Sequence, residues 1–166
     1  MVDASPLIYL AKLDALDVFV RAGHVPYITP EVERETSRAG LAYRYPDALA
    51  IAEAIRDGVL VRIELTDQER RAAGRLATES GGLDAGESEV LAVAEARELP
   101  VLLHERRAIR LARSLGLDTW SPIRLLMAGT PDRGLLRDRV LRFARLVQMR
   151  FEDVEALMER IEGAPR

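Results

Sequence analysis

Apolar residues recur along this chain at two spacings, and the switching between them lays out a succession of elements. Met1-Val2 is followed by Ser5-Pro6 and then by Leu7, Leu10, Leu13, Leu16 and Val20. This reads as a short strand, an N-cap with proline in the first helical position, and one amphipathic helix. Residues 24–29 suit a second strand, and Thr29-Pro30 is a cap and proline pair that opens a helix to about Arg38. The pattern repeats with a helix at 46–57, stopped by Gly58, and an apolar run rich in β-branched residues at 59–65 that suits a third strand. Thr66 caps another helix. After the loop 80–82 come an alanine-rich helix at 84–97, a short buried strand at 100–103 and a helix at 105–115 ended by Gly116. A brief strand at 118–120 precedes Ser121-Pro122, which opens a further helix, and residues 133–162 carry two helices and no strand.

Strands that alternate with helices point to an α/β fold, because each parallel pair needs a crossover that a helix supplies. The strand-bearing part spans residues 1–130. Residues 131–166 form a helical extension whose Leu136, Val140, Phe143, Val147 and Phe151 are too apolar for a free helix, so it packs on the domain or on a second copy. In open sheets of this class ligands sit beyond the carboxyl ends of the strands, where strand order reverses.

Composition narrows the chemistry. The chain has no cysteine, which excludes disulfides, thiolate nucleophiles and sulfur-rich zinc sites, and leaves oxygen or imidazole to hold any metal. The first residues lack the basic and apolar regions of a secretory signal, and no apolar run is long enough to cross a bilayer, so a cytoplasmic protein is expected. Only Met1 and Val2 precede Asp3, which is short for a central strand and suggests a true start upstream. The net charge of −3 argues against nonspecific binding to a polyanion, but the charge is uneven. Arg106, Arg107, Arg110 and Arg113 lie in a stretch without an acid, and a second arginine-rich stretch runs from Arg133 to Arg150. Either serves as a phosphate-binding face or as a solvated helix face.

The acids fall in telling places. Asp3 follows the first strand, and His104-Glu105 follows the fourth; as neighbours at the reversal point they would share one crevice. Glu35 lies three residues after Val32 and shares its face, so a buried Val32 draws Glu35 to the rim of the core. Glu31 is accounted for as a charge favoured by the helix dipole, and Glu33 should face solvent. Asp84 and Glu87 have the spacing of a capping box, yet Glu87 also heads the apolar stripe Val90, Leu91 and Ala94. Carboxylates gathered in one cleft repel unless a cation neutralises them, and oxygen ligands without sulfur favour Mg2+ or Mn2+. The reaction implied is metal-assisted hydrolysis of a phosphodiester.

Residues 3–12 (DASPLIYLAK), 83–92 (LDAGESEVLA) and 101–108 (VLLHERRA) resemble PIN domains, a similarity that spans residues 1 to about 128. The resemblance implies a three-layer αβα fold around a central five-stranded parallel sheet, here with C-terminal helices added. It also implies a Mg2+- or Mn2+-dependent endoribonuclease, as in toxins of toxin–antitoxin modules, with RNA as substrate, a homodimer as the working form and an antitoxin protein as a further partner. Carried over, Asp3, Glu35 and Glu87 are metal ligands, Asp84 is an auxiliary acid, and Arg106, Arg107 and Arg110 are RNA-binding candidates. The fourth acid of the family normally follows the fourth strand, where this chain has His104. Either Glu105 replaces it as a catalytic acid, or His104 itself coordinates metal and shifts preference towards manganese or zinc, or the site is inactive. The last option is a noncatalytic PIN-like module that binds RNA or protein. A nucleotide-binding domain is excluded, because neither the dinucleotide glycine pattern nor a P-loop occurs.

Overall fold

The computed structural model describes residues 1–38, 45–79 and 82–163. Residues 1–3 run between two pairs of parallel strands. On one side the Val2 amide donates to the Tyr27 carbonyl at 2.9 Å. On the other, the Leu102 amide donates to the Met1 carbonyl at 2.8 Å and the Asp3 amide to the Leu102 carbonyl at 3.1 Å, a parallel bridge between Val2 and Leu102. The flanking pairs are β1 (Tyr27–Ile28) with β2 (Val61–Arg62), and β3 (Val101–Leu102) with β4 (Thr119–Trp120).

Regular pairing among the described residues is therefore confined to two short parallel pairs, in place of the continuous five-stranded sheet expected. The runs 24–29, 59–65 and 100–103 form strand only at residues 27–28, 61–62 and 101–102. Proline explains part of this: Pro26 and Pro100 lack the amide that would extend the ladder backwards, and Thr29-Pro30 turns β1 at once into a helix.

Helix α1 (Ala4–Lys12) stops sooner than the apolar stripe suggests. Asp14 takes a φ of +51°, and the chain turns before the short α2 (Val18–Arg21). Aspartate tolerates the left-handed region, so one expected helix is two, and Val20 of the stripe is 64% exposed. Helix α3 (Pro30–Glu33) is capped by the Thr29 hydroxyl, which accepts from the Val32 amide at 3.3 Å. It then widens into a π-helical turn at Arg34–Arg38, where the Thr36 and Ser37 hydroxyls each donate to the carbonyl four residues back at 2.7 Å.

The remaining helices are α4 (Pro46–Arg56), α5 (Asp67–Glu79), α6 (Ala85–Arg97), α7 (Arg106–Ser114), α8 (Pro122–Gly129), α9 (Arg133–Leu146) and α10 (Phe151–Gly163). Thr66 and Glu69 form a reciprocal cap at the start of α5, and Arg97 binds the Glu69 carboxylate at 2.7 and 2.9 Å, fastening α5 to α6. In α6, residues from Gly86 to Ala94 are buried on nearly every side except at Glu89, which is half-buried.

Leu136, Val140 and Phe143 of α9 and Ile161 of α10 join one core with Leu7, Leu10, Val32 and Leu91. The buried Arg139 clamps α9 to the turn after α1, donating to the Asp14 carbonyl at 2.7 Å, Asp17 at 2.8 Å and Thr130 at 3.1 Å. Phe151, counted among the packed residues of the extension, is instead 77% exposed. No helix among the described residues is long and apolar enough to cross a membrane.

Candidate active site

Asp3 occupies the N-cap of α1, at the carboxyl end of residues 1–3, and is 3% exposed. Its backbone is held by Leu102, whose carbonyl accepts from the Asp3 amide, and this places the residue between β3 and the start of α1. Asp84 and Glu87 open α6 as a full capping box: Asp84 Oδ1 accepts from the Glu87 amide at 2.7 Å, and Glu87 Oε2 from the Asp84 amide at 3.2 Å. The Ser88 hydroxyl donates to the Asp84 carbonyl at 2.7 Å and tightens the turn. The box engages one oxygen of each acid. Glu87 lies against the core as its place in the stripe suggested, and is 7% exposed.

Glu35 arrives by a less obvious route. Glu89 of α6 accepts from the Glu31 amide at 3.2 Å and ties α3 to α6. The π-helical turn then carries the Glu35 carboxylate over Gly86. A methyl group at Gly86 would meet the two Glu35 oxygens at 3.2 and 3.3 Å and Asp84 Oδ1 at 3.5 Å. Glycine is what permits this approach. Sequence reasoning missed Gly86 and Glu89, since closeness between residues 50 apart has no local signal. It also placed Glu33 in solvent, whereas Glu33 is half-buried and pairs with Arg62 at 2.7 Å, because β2 lies beside β1 and brings a guanidinium to it.

The acids influence one another. Burial pushes the Asp3 carboxyl up to about 7, and the charges of Glu87, Asp84 and Glu35 add to the rise. Glu35 is likewise pushed up to about 7, by burial first and then by Asp84 and Glu31. Glu87 is raised by burial, Asp84 and Glu105, against the Asp84 amide and Arg107, which pull it down. Asp3, Glu35, Asp84 and Glu87 therefore form one electrostatic group, with Glu105 at its margin.

Oxygen donors in such a group match the chemistry of a hard divalent cation, which would offset the repulsion that adds to the effect of burial on Asp3 and Glu35. Among the described residues, however, no three His, Asp or Glu side chains are so arranged as to hold a metal ion between them. The donor chemistry fits; the side chains would have to close in.

Glu105 is an exposed N-cap of α7 whose side chain makes no cap hydrogen bond. His104 is half-buried and stands edge-on to Tyr9, with ring centroids 5.0 Å apart, and to Phe143, at 6.0 Å. Arg106, Arg107 and Arg110 are exposed on α7. Arg107 lies close to Gly82 as well as to Glu87, and all three arginines border an open cleft.

The sequence matches the family described as DUF3368, a PIN domain, over residues 1–152. The match continues through α9, past the limit of about 128 read from the motifs. No curated protein and no solved structure matches the chain.

Proposed function

Because the chain belongs to the PIN domain family, whose members are generally nucleases, we propose that it is a metal-dependent ribonuclease that hydrolyses RNA phosphodiester bonds. The observation that carries this reading is the gathering of Asp3, Glu35, Asp84 and Glu87, in which burial first, and the neighbouring charges after it, push two carboxyls up to about 7. Carboxylates held in mutual repulsion cost stability, and an enzyme that binds a cation recovers that cost.

In this reading Asp3, Glu35 and Glu87 hold Mg2+ or Mn2+, with Asp84 as auxiliary acid. The ion would supply an acidified water and stabilise charge on the oxygens of the phosphodiester. The chain's own contributions are distinct: the Asp84–Glu87 cap fixes the first turn of α6, Gly86 admits Glu35, and Glu105 adds negative charge at the margin. Asp3 follows the residues that bridge to β3, at the carboxyl end where ligands of open parallel sheets sit. A toxin role, a homodimer, an antitoxin partner and a cytoplasmic setting belong to the same reading and rest on the family resemblance.

Calorimetric titration with Mn2+ and Mg2+, followed by an RNA cleavage assay in the ion that binds, tests the proposal. Binding with cleavage is expected, and Glu87→Gln should reduce both. If neither ion binds, the reading falls and the noncatalytic PIN-like module replaces it; the open arrangement of the acids and His104 in the place of an acid are the observations on its side.

A further inference from the structure

A cleft of about 680 Å3 opens between the first turns of α7 and the turn that joins α9 to α10. His104, Glu105, Arg106 and Arg110 line one side, Gln148 and Met149 the other. This second side lies beyond the motifs that carry the family resemblance. Left-handed backbone at Gln148, with φ of +51°, sets the turn.

His104 is braced from behind. Its ring stands at 78° to Tyr9 and at 89° to Phe143, and those two stand edge-on to each other at 5.7 Å. Three mutually perpendicular contacts fix the imidazole on the cleft side of the aromatic group. The residue in the place of the family's fourth acid thus lines the cleft with its ring held by two aromatic neighbours.

Charge in the cleft points to its ligand. Arg150 is committed to Asp153 at 2.9 and 3.2 Å. Arg106 and Arg110 have no ion-pair partner among the described residues, which leaves both guanidiniums for phosphates. An open cleft with an aromatic ring and an amide in its lining suits a single strand, whose unstacked bases can lie on a ring and offer their edges, and not a duplex, whose bases are already stacked.

We propose that this cleft takes single-stranded RNA, with phosphates on Arg106 and Arg110 and a base against the His104 ring, so that His104 contacts substrate and is not a metal ligand. The inference rests on the ribonuclease reading and adds to it the path of the strand. Taken near the lower end of what base stacking on a protein ring contributes, removing the ring weakens binding about tenfold.

The chain's two histidines make a direct test possible, since His24 packs edge-on against Trp120 and does not line the cleft. A fluorescein-labelled, mixed-sequence oligoribonucleotide is titrated into the full chain in EDTA, followed by anisotropy and by the NMR resonances of the two imidazoles. The His104 ring should shift as the strand binds while the His24 ring stays, and magnesium alone should leave His104 in place. H104A should lose about tenfold in affinity for the strand, whereas H104F, which keeps the edge-on packing and a stacking face, should retain most of it. Strand binding with an unmoved His104 ring overturns this inference alone, as does a His104 ring that responds to magnesium without RNA. Failure of the wild-type chain to bind the strand overturns this inference as well, whereas the ribonuclease reading falls on its own test, if neither Mn2+ nor Mg2+ binds.

Discussion

Replacing Asp3 with asparagine should stabilise the metal-free protein while it removes activity. Folding lifts the Asp3 carboxyl from its ordinary 3.8 to about 7, chiefly through burial. An acid whose pKa rises on folding binds its proton more tightly in the native state, so the unfolded state holds fewer protons between those two values. The sign follows: this group costs nothing below about 3.8, its cost grows as pH rises, and it is fully felt above about 7. At 1.36 kcal/mol per pH unit, the interval from 3.8 to about 7 corresponds to about 4 kcal/mol. That is a ceiling, because Glu35 and Glu87 titrate together with Asp3 and each neutralised neighbour relieves the others. Asparagine keeps the shape and an oxygen to accept the Ala4 amide, without the charge. Urea unfolding in EDTA should therefore show Asp3→Asn more stable than wild type at pH 8 by about 2–4 kcal/mol, with the gap closing towards pH 4. Adding Mn2+ should reverse the order by stabilising wild type alone. An Asp3→Asn protein less stable than wild type at pH 8 in EDTA would refute the reasoning, since it would mean that the buried charge is already neutralised by something within the chain.

Two other substitutions separate structure from function. Gly86→Ala places a methyl 3.2 and 3.3 Å from the Glu35 oxygens, tight enough to push the carboxylate aside. Alanine also lowers the entropy of the unfolded chain, so thermal unfolding should stay level or rise, the gain being about 0.4–1 kcal/mol. Calorimetry should show Mn2+ affinity falling about tenfold, as for loss of a residue that orients a ligand; unchanged affinity would remove Glu35 from the ligand set. Glu69→Gln, remote from the acids, tests the α5–α6 fastening. Arg97 hydrogen bonding, with help from Thr66, holds Glu69 down to about 2. Its contribution is present above about 4.5 and is lost as pH falls towards about 2. The variant should be about 1.5–3 kcal/mol less stable in urea at pH 7, with the deficit shrinking in acid; a deficit that is the same at pH 7 and at pH 2 would sink the argument.

Several features of this molecule were legible in the order of residues because each has a local physical cause. Thr29-Pro30 and Ser121-Pro122 begin helices since the hydroxyl satisfies a free amide three residues on and proline needs none. Asp84 and Glu87 had to form a cap, and the apolar stripe behind them meant that Glu87 would be drawn inwards. The acid-bearing motifs at 3–12 and 83–92 sufficed to suggest the family that the match over residues 1–152 bears out. The break at Asp14 was not legible, because aspartate enters the left-handed region without the signature of glycine. Strand lengths were overread for a related reason: β-branched runs report burial, and pairing requires amides that Pro26 and Pro100 do not have.

What the sequence by itself determined is the set of side chains available: carboxylates, no cysteine, and acids set at the ends of strands and helices. Which acids meet was decided only by tertiary structure. Glu35 comes to the first turn of α6 because Glu89 ties α3 to α6 and Gly86 lacks a side chain, and both conditions join positions more than 50 residues apart. The surroundings of His104 are likewise tertiary, since Phe143 comes to it from α9. Capping and helical spacing act within one turn of chain and can be read from neighbours. Burial and charge repulsion act through space, and they exist only once the chain has folded.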